Sequence, residues 1–173
     1  MRGLNQINQY LKEQDIEGEL CIFDGACMCL AYSARTSTKD VDAVFQPADK
    51  VRKAIFEVGI ANGWDWNWIN DDVAGFLSTK KSEFVAAADF EPLSHLKILF
   101  PRPEYLLAMK CLAARSGTDE EPSPDLSDAL WLCRHLKIRD KNAITSIVMD
   151  YYPDEELSSN SSFFIEELET RIK

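Results

Sequence analysis

The feature that most constrains the fold is a change of hydrophobic pattern near residue 103. Four short apolar runs before this point have the length and composition of strands and are interspersed with helical stretches: 19–23, 40–45, 83–87 and 95–100. The pattern after it is helical only, at 104–115, 124–136, 140–152 and 161–172. This order predicts an α/β (α+β) fold, with a small mixed-sheet core over 1–103 and a helical C-terminal subdomain over 104–173 packed on that core.

Charge narrows the possible partners. The chain has 29 Asp and Glu against 19 Lys and Arg, a formal net charge of -10. Such a chain is a poor sequence-independent binder of duplexes, since neutralising phosphates requires clustered Lys and Arg. Action on RNA or nucleotides then requires a local basic patch or bound divalent metals.

Membrane and export signals are not expected. Apolar runs stay well short of the ~18 residues that a membrane-spanning helix needs, and the polar N-terminus lacks the apolar core of a secretory signal. The five cysteines are an odd number, and four of them lie within apolar runs. We therefore expect reduced thiols, a cytoplasmic protein and no membrane partner.

The most informative stretch is 23–45, FDGACMCLAYSARTSTKDVDAVF. Asp40 and Asp42 flank one residue of a predicted strand, so that both carboxylates point to one face. Two such carboxylates repel unless a cation lies between them, and Mg²⁺ prefers a few carboxylates together with substrate phosphates. Gly25 lets the backbone approach a ligand at the turn into a helix, whose N-terminus attracts phosphate, and Arg35 and Lys39 add positive charge. The alternative is an ordinary pair of solvated acids.

This stretch resembles motif I of the nucleotidyltransferase superfamily, in which a Gly-Gly or Gly-Ser turn precedes a short helix and a D-x-D strand. It is similar in particular to the AbiEii-like and related bacterial nucleotidyltransferase-like proteins, several of which are toxins of toxin–antitoxin systems. The family's second block has a Lys and an Arg on one helix and D-x-x-D opening the next. Lys110, Arg115, Asp125 and Asp128 match it here, and the two blocks span about residues 20 to 136.

The resemblance implies a Mg²⁺ site and a set of nucleotide contacts. Asp40 and Asp42 would bind the metal and orient a nucleoside triphosphate, and with Lys110 and Asp128 they would form the catalytic set. The residues that would contact the nucleotide or its phosphates are Gly25, Ala26, Arg35, Thr36, Lys39 and Asp125.

The implied reaction is attack by an acceptor hydroxyl on the α-phosphate, with release of pyrophosphate. The acceptor would be RNA, tRNA included, or a protein, and an antitoxin is a further implied partner.

The sequence departs from the family's pattern at three places. Ala26 stands where the family has Gly or Ser, Asp24 adds a negative charge beside the turn, and 95–100 supplies no third carboxylate. Glu83 and Asp89 are possible substitutes for it. Two alternatives therefore stay open: a non-catalytic binding module on the same fold, and an unrelated mixed α/β protein.

Several candidate residues also have ordinary interpretations. Lys110 lies on an apolar helix face and could extend its ammonium to solvent. Asp125 could only stabilise a helix N-terminus, and Asp128 could be a solvated surface acid. The alternating tryptophans of GWDWNWINDD, at 64, 66 and 68, either cover the core or form a stacking platform for a base.

Overall fold

The structure is a computed structural model that describes residues 1–38, 40–80, 82–86, 91–114 and 123–172. The described residues form seven α-helices, five strands and one short 3₁₀ helix. The chain divides into two compact units, neither of which is a continuous stretch. Unit 1 contains Met1–Gly75 and Phe84–Pro101, and unit 2 contains Phe76–Glu83 and Arg102–Lys173.

Unit 1 is built on a five-stranded mixed sheet. Its elements are α1 (Arg2–Glu13), β1 (Gly18–Ile22), α2 (Asp24–Leu30), β2 (Val41–Gln46), α3 (Ala48–Asn62), β3 (Ile69–Asn70), β4 (Phe84–Ala86) and β5 (Leu96–Pro101), with the 3₁₀ helix Asp72–Phe76 after β3. The strand order is β3-β2-β1-β5-β4. Strand β1 pairs antiparallel with β2 and parallel with β5, while β2–β3 is parallel and β4–β5 antiparallel. The predicted α/β fold with a mixed sheet is confirmed.

The hydrophobic pattern explains which elements lie inside unit 1. The central strand β1 is buried at four of its five positions, as expected for a strand covered on both faces. The apolar stripe of α1, formed by Leu4, Ile7 and Leu11, is buried, and α1 contacts β5. Helix α3 buries Val51 and Ile55 and contacts β1 and β2. The core of unit 1 therefore lies between the sheet and these two helices.

Unit 2 is helical. Its helices are α4 (Pro103–Leu112), α5 (Pro124–His135), α6 (Lys141–Tyr151) and α7 (Ser159–Ile172). Helix α4 is buried over most of its length and packs against α5, α6 and α7. Ser123 caps α5 by accepting a hydrogen bond from the Leu126 N–H at 3.2 Å, at the helix start that the Ser-Pro-Asp sequence predicts.

The segment Phe76–Glu83, which the prediction placed in the core, belongs to unit 2. The Ser78 N–H donates to the Tyr105 hydroxyl at 2.9 Å, and the Ser78 hydroxyl donates to the Tyr151 carbonyl. The Tyr152 hydroxyl donates to the Phe76 carbonyl at 2.7 Å. These bonds join the segment to α4 and α6, and the later boundary falls at 101/102 rather than at 103/104.

None of the described helices is a candidate for a membrane-spanning segment. None of them combines the length and the apolar composition that crossing a bilayer requires.

The cysteines give a direct test of the core. Cys21, Cys27, Cys111 and Cys133 are buried, and Cys29 is half-buried. Burial raises the pKa of the Cys21 and Cys133 thiols to about 12 and raises that of Cys111 as well. Since the thiolate is the reactive form, we expect a thiol reagent at pH 8 to modify Cys29 first and the others only on unfolding. Rapid modification in a Cys29→Ser variant without denaturant would contradict this core.

Candidate functional site

Asp42 lies on β2, next to the start of α2. The Phe23 N–H donates to the Asp42 carbonyl at 2.8 Å, which ties the beginning of α2 to this strand. Asp24 follows Phe23 with a φ of 44°, in the left-handed region that non-glycine residues seldom adopt and that Asp tolerates better than most. The backbone thus holds a second carboxylate near Asp42 at some conformational cost.

The neighbouring strand β3 brings further polar groups to Asp42. Strands β2 and β3 are parallel, and Asp42 is the register partner of Asn70. The Asn70 side chain hydrogen-bonds to the Asp42 carboxylate, and the Asn70 Oδ1 accepts from the Asp72 N–H at 3.0 Å. One side chain therefore orients Asp42 and also fixes the turn that carries Asp72.

Three carboxylates act on that of Asp42, and we call Asp24, Asp40, Asp42 and Asp72 the acidic cluster. Burial raises the pKa of Asp42 above its ordinary value, and the negative charges of Asp24, Asp40 and Asp72 raise it further. The hydrogen bond from Asn70 opposes this rise. A cation would relieve the repulsion, and carboxylate and amide oxygens are the ligands that Mg²⁺ takes. The chemical type of these donors therefore suits the predicted metal.

The prediction that Asp40 and Asp42 both lie within a strand is wrong for Asp40. Strand β2 begins at Val41, so Asp40 lies one residue before it and is exposed. Its carbonyl accepts a hydrogen bond from the Thr38 hydroxyl at 3.2 Å. Strand alternation therefore does not set the direction of Asp40, although its charge still acts on Asp42.

Position 25 requires a glycine because the loop after α2 passes close to it. A Cβ at this position would lie 2.9 Å from Thr38 Oγ1 and 3.1 Å from Arg35 Nη1. The loop after α2 thus packs over the glycine and brings the Arg35 guanidinium there. Ala26 is buried within α2, Thr36 is exposed, and Lys39 lies outside the described residues.

The second predicted block forms a buried ionic group in unit 2, which we call the lysine triad. Lys110 Nζ on α4 lies 2.8 Å from Asp125 Oδ1 and 3.0 Å from Asp128 Oδ2, both on α5. The side chains of Lys110 and Asp128 are only 4% and 3% exposed. Interpreting Lys110 as reaching solvent, or Asp128 as a solvated acid, is therefore wrong. Arg115 lies outside the described residues.

Sequence reasoning missed three members of the polar group around Asp42. Asp24 was noted only as an added charge, and Asn70 and Asp72 were not considered. The Asn-Asp-Asp sequence at 70–72 was the available signal, but only the pairing of β3 with β2 gives it meaning. Of the earlier substitutes for a third carboxylate, Glu83 accepts a 2.8 Å hydrogen bond from Tyr151 within unit 2, and Asp89 lies outside the described residues.

The three tryptophans have different environments. The Trp68 indole donates to the Ile55 carbonyl at 3.0 Å, and its ring lies against Gly3 and Gly59. Trp64 meets the Trp68 ring edge to face, with ring centroids 4.7 Å apart. Covering the core is therefore the role of these two, whereas Trp66 is 70% exposed.

Comparison with known proteins assigns no family to the chain. No protein-family model, no curated protein and no solved structure matches it. The functional argument therefore rests on the residues of the site.

Neutralising Asp42 should stabilise the fold. Because its pKa is raised in the folded state, ionised Asp42 destabilises that state, and the penalty grows as pH rises through the folded pKa. We expect Asp42→Asn to raise Tm at neutral pH without added metal, and the gain to disappear in acid. Thermal unfolding across pH measures this, with Glu57→Gln, an exposed acid on α3, as the matched control. A lower Tm for Asp42→Asn at neutral pH would contradict the repulsion.

Breaking the lysine triad should be costly. Lys110→Met leaves buried Asp128 facing Asp125 without the ammonium, and loss of one partner of a buried ion pair costs about 3–5 kcal/mol. The double variant Lys110→Met/Asp128→Asn should recover part of that loss. Urea unfolding of both variants measures the coupling, and wild-type stability of Lys110→Met would show that the ion pairs contribute nothing.

Proposed function

We propose that the protein is a Mg²⁺-dependent nucleotidyltransferase, moving a nucleoside monophosphate from a triphosphate to a hydroxyl of RNA or protein. The observation that carries the proposal is the acidic cluster, in which Asp42 is held among three other carboxylates at the start of β2. Arg35, on the loop before this strand, lies beside Gly25 of α2, and both residues belong to the motif on which the resemblance to nucleotidyltransferases rests.

The cost of the acidic cluster supports a functional role. Like charges held together destabilise a fold, and groups whose pKa is shifted by burial and by neighbouring charges are more frequent at functional sites. The cluster offers oxygen ligands alone, which suit a hard cation that also binds substrate phosphates. Mg²⁺ bound by Asp42 with Asp40 or Asp24 would supply charge neutralisation at the phosphates and stabilise the leaving pyrophosphate.

The chain's own residues would bind and orient the nucleotide. The Arg35 guanidinium offers a planar fork of donors, the geometry that phosphate oxygens accept best. Asn70 would keep the Asp42 carboxylate in one orientation through their hydrogen bond. In the reaction, the acceptor hydroxyl loses its proton to water and its oxygen forms a bond to the α-phosphorus, while the bond from that phosphorus to the leaving pyrophosphate breaks. A share of the lysine triad in this chemistry stays a prediction of the resemblance, as does an antitoxin partner.

A transfer assay tests the proposal. Purified protein is incubated with Mg²⁺ and each labelled nucleoside triphosphate in turn, with total RNA or cell lysate as acceptor. We expect label to enter one class of macromolecule. Asp42→Asn should lower the rate by about 100-fold or more, the scale on which loss of one electrostatic contact lowers kcat. Glu57→Gln should transfer like the wild type, and unchanged transfer by Asp42→Asn would exclude the acidic cluster as the site.

The second candidate is a non-catalytic binding module on the same fold. The observation that favours it is the position of Arg35 and Thr38 over Gly25, since a phosphate could reach that backbone only if the loop moved. This candidate predicts no transfer with any triphosphate. A partner-binding version also predicts no Mg²⁺-dependent rise of Tm with triphosphates, because only a ligand that prefers the native state stabilises it.

A further inference from the structure

A groove of about 410 Å³ lies in unit 1 between α3 and the segment 66–72. Its apolar lining comes from Ile55, Phe56, Trp66 and Ile69. Phe56 is 44% exposed and Trp66 is 70% exposed, so both present ring surface to solvent. Large exposed aromatic rings beside a groove are typical of a ligand site rather than of a solvated surface.

Trp66 is unlike the two tryptophans beside it. Trp64 and Trp68 contact each other, and Trp68 packs on α1 and α3 with its N–H bonded to a carbonyl. The structure thus provides packing for two indoles and directs the third to the groove. A planar, rigid side chain in this position offers a stacking surface at small entropic cost.

The polar lining of the groove is rich in acceptors. It includes Asp49, Asp71, Asp72, Asn67 and Asn70 against two cations, Arg52 and Lys53. The Arg52 guanidinium binds both carboxylate oxygens of Asp71, at 3.2 and 2.8 Å. This pairing commits one of the two cations to an acid of the chain itself. The excess of acids makes the groove unfavourable for a phosphate and favourable for a neutral group that donates hydrogen bonds.

The groove adjoins the acidic cluster through shared residues. Asn70 and Asp72 line the groove, and both act on Asp42, Asn70 through a hydrogen bond and Asp72 through its charge. A planar group in the groove would therefore have its attached sugar and phosphates close to the proposed metal site. This continuity favours the base of a nucleotide over an unrelated ligand.

We infer that this groove binds a nucleobase with an exocyclic amino group, which stacks on Trp66. Stacking on an aromatic ring accepts any base, whereas carboxylate and amide oxygens select those that donate through an amino group, such as adenine and cytosine. The inference extends the proposed function, because the position of the base relative to Asp42 matters only if a nucleotide is the substrate. Base binding itself requires neither Mg²⁺ nor phosphates.

Nucleoside titrations without Mg²⁺ test the inference on the intact protein. Adenosine is compared with purine riboside, which lacks only the amino group. Cytidine is compared with uridine, which has a carbonyl in place of the amino group and an N3–H in place of the N3 acceptor. Binding is followed by calorimetry and by quenching of tryptophan fluorescence. We expect adenosine and cytidine to bind more tightly than their partners. Trp66→Ala should weaken their binding by about 5- to 150-fold, the range that one stacked base supplies. Trp66→Phe should retain part of the affinity.

Ile60→Ala is the matched control, since Ile60 is 59% exposed on α3 and does not line the groove. Equal binding of adenosine and purine riboside, or adenosine binding unchanged in Trp66→Ala, would overturn the inference. Tighter binding of tetramethylammonium than of nucleosides would also overturn it, because the aromatic surface would then be a site for cations. So would a dimer that dissociates in Trp66→Ala, because the surface would then be covered by a second copy of the chain.

The two proposals fail separately. Nucleoside binding that depends on Trp66, without transfer in the Mg²⁺ assay, would support the base site and exclude the transferase. Transfer that depends on Asp42, with nucleoside binding indifferent to Trp66, would do the reverse.

Discussion

Repulsion among the carboxylates around Asp42 is the constraint on which the functional arrangement depends. Strand β2 is hydrogen-bonded to β1 on one side and to β3 on the other, so the sheet fixes Asp42 whatever its charge. The Phe23 bond to the Asp42 carbonyl and the Asn70 bond to its carboxylate keep the polar neighbours in place. Backbone pairing and these two hydrogen bonds thus hold near one another charges that would separate in an unfolded chain.

In the lysine triad, opposite charges are paired rather than like charges held together. Lys110 is surrounded by Asp125 and Asp128 and almost removed from water, so its cation is matched within unit 2 itself. Buried ion pairs of this kind rarely add net stability, but they penalise any packing of α4 on α5 that separates them. The charges that act on Asp42 are all negative, whereas the two acids beside Lys110 share its ammonium.

Local sequence signals predicted much of the fold and less of the site. Helix α3 spans Ala48–Asn62, where local signals place it, because Pro47 and Gly63 mark its two ends in the sequence. Asp42 was identified from the D-x-D spacing. The pairing of strand β3 with β2 was not predicted. Strand β3 has only two residues, which are too few to show a hydrophobic period, and its pairing depends on residues far away in the sequence. The left-handed backbone conformation of Asp24 could not be predicted either, since no neighbouring residue favours it over an ordinary helical conformation. Contacts between distant parts of the sequence therefore decide the site.

The interleaving of the two units has a consequence for how such a chain can be rearranged in evolution. The residues 76–83 belong to the helical unit although they lie in sequence between β3 and β4, and Ser78 binds Tyr105 and Tyr151 there. A single crossover or gene fusion at codon 102 would move α4 to α7 into a new protein without these bonding partners. The same event would leave the sheet with a segment shaped to fit helices it no longer has. Neither unit can therefore be exchanged by a single recombination event, and we expect the two units to evolve together.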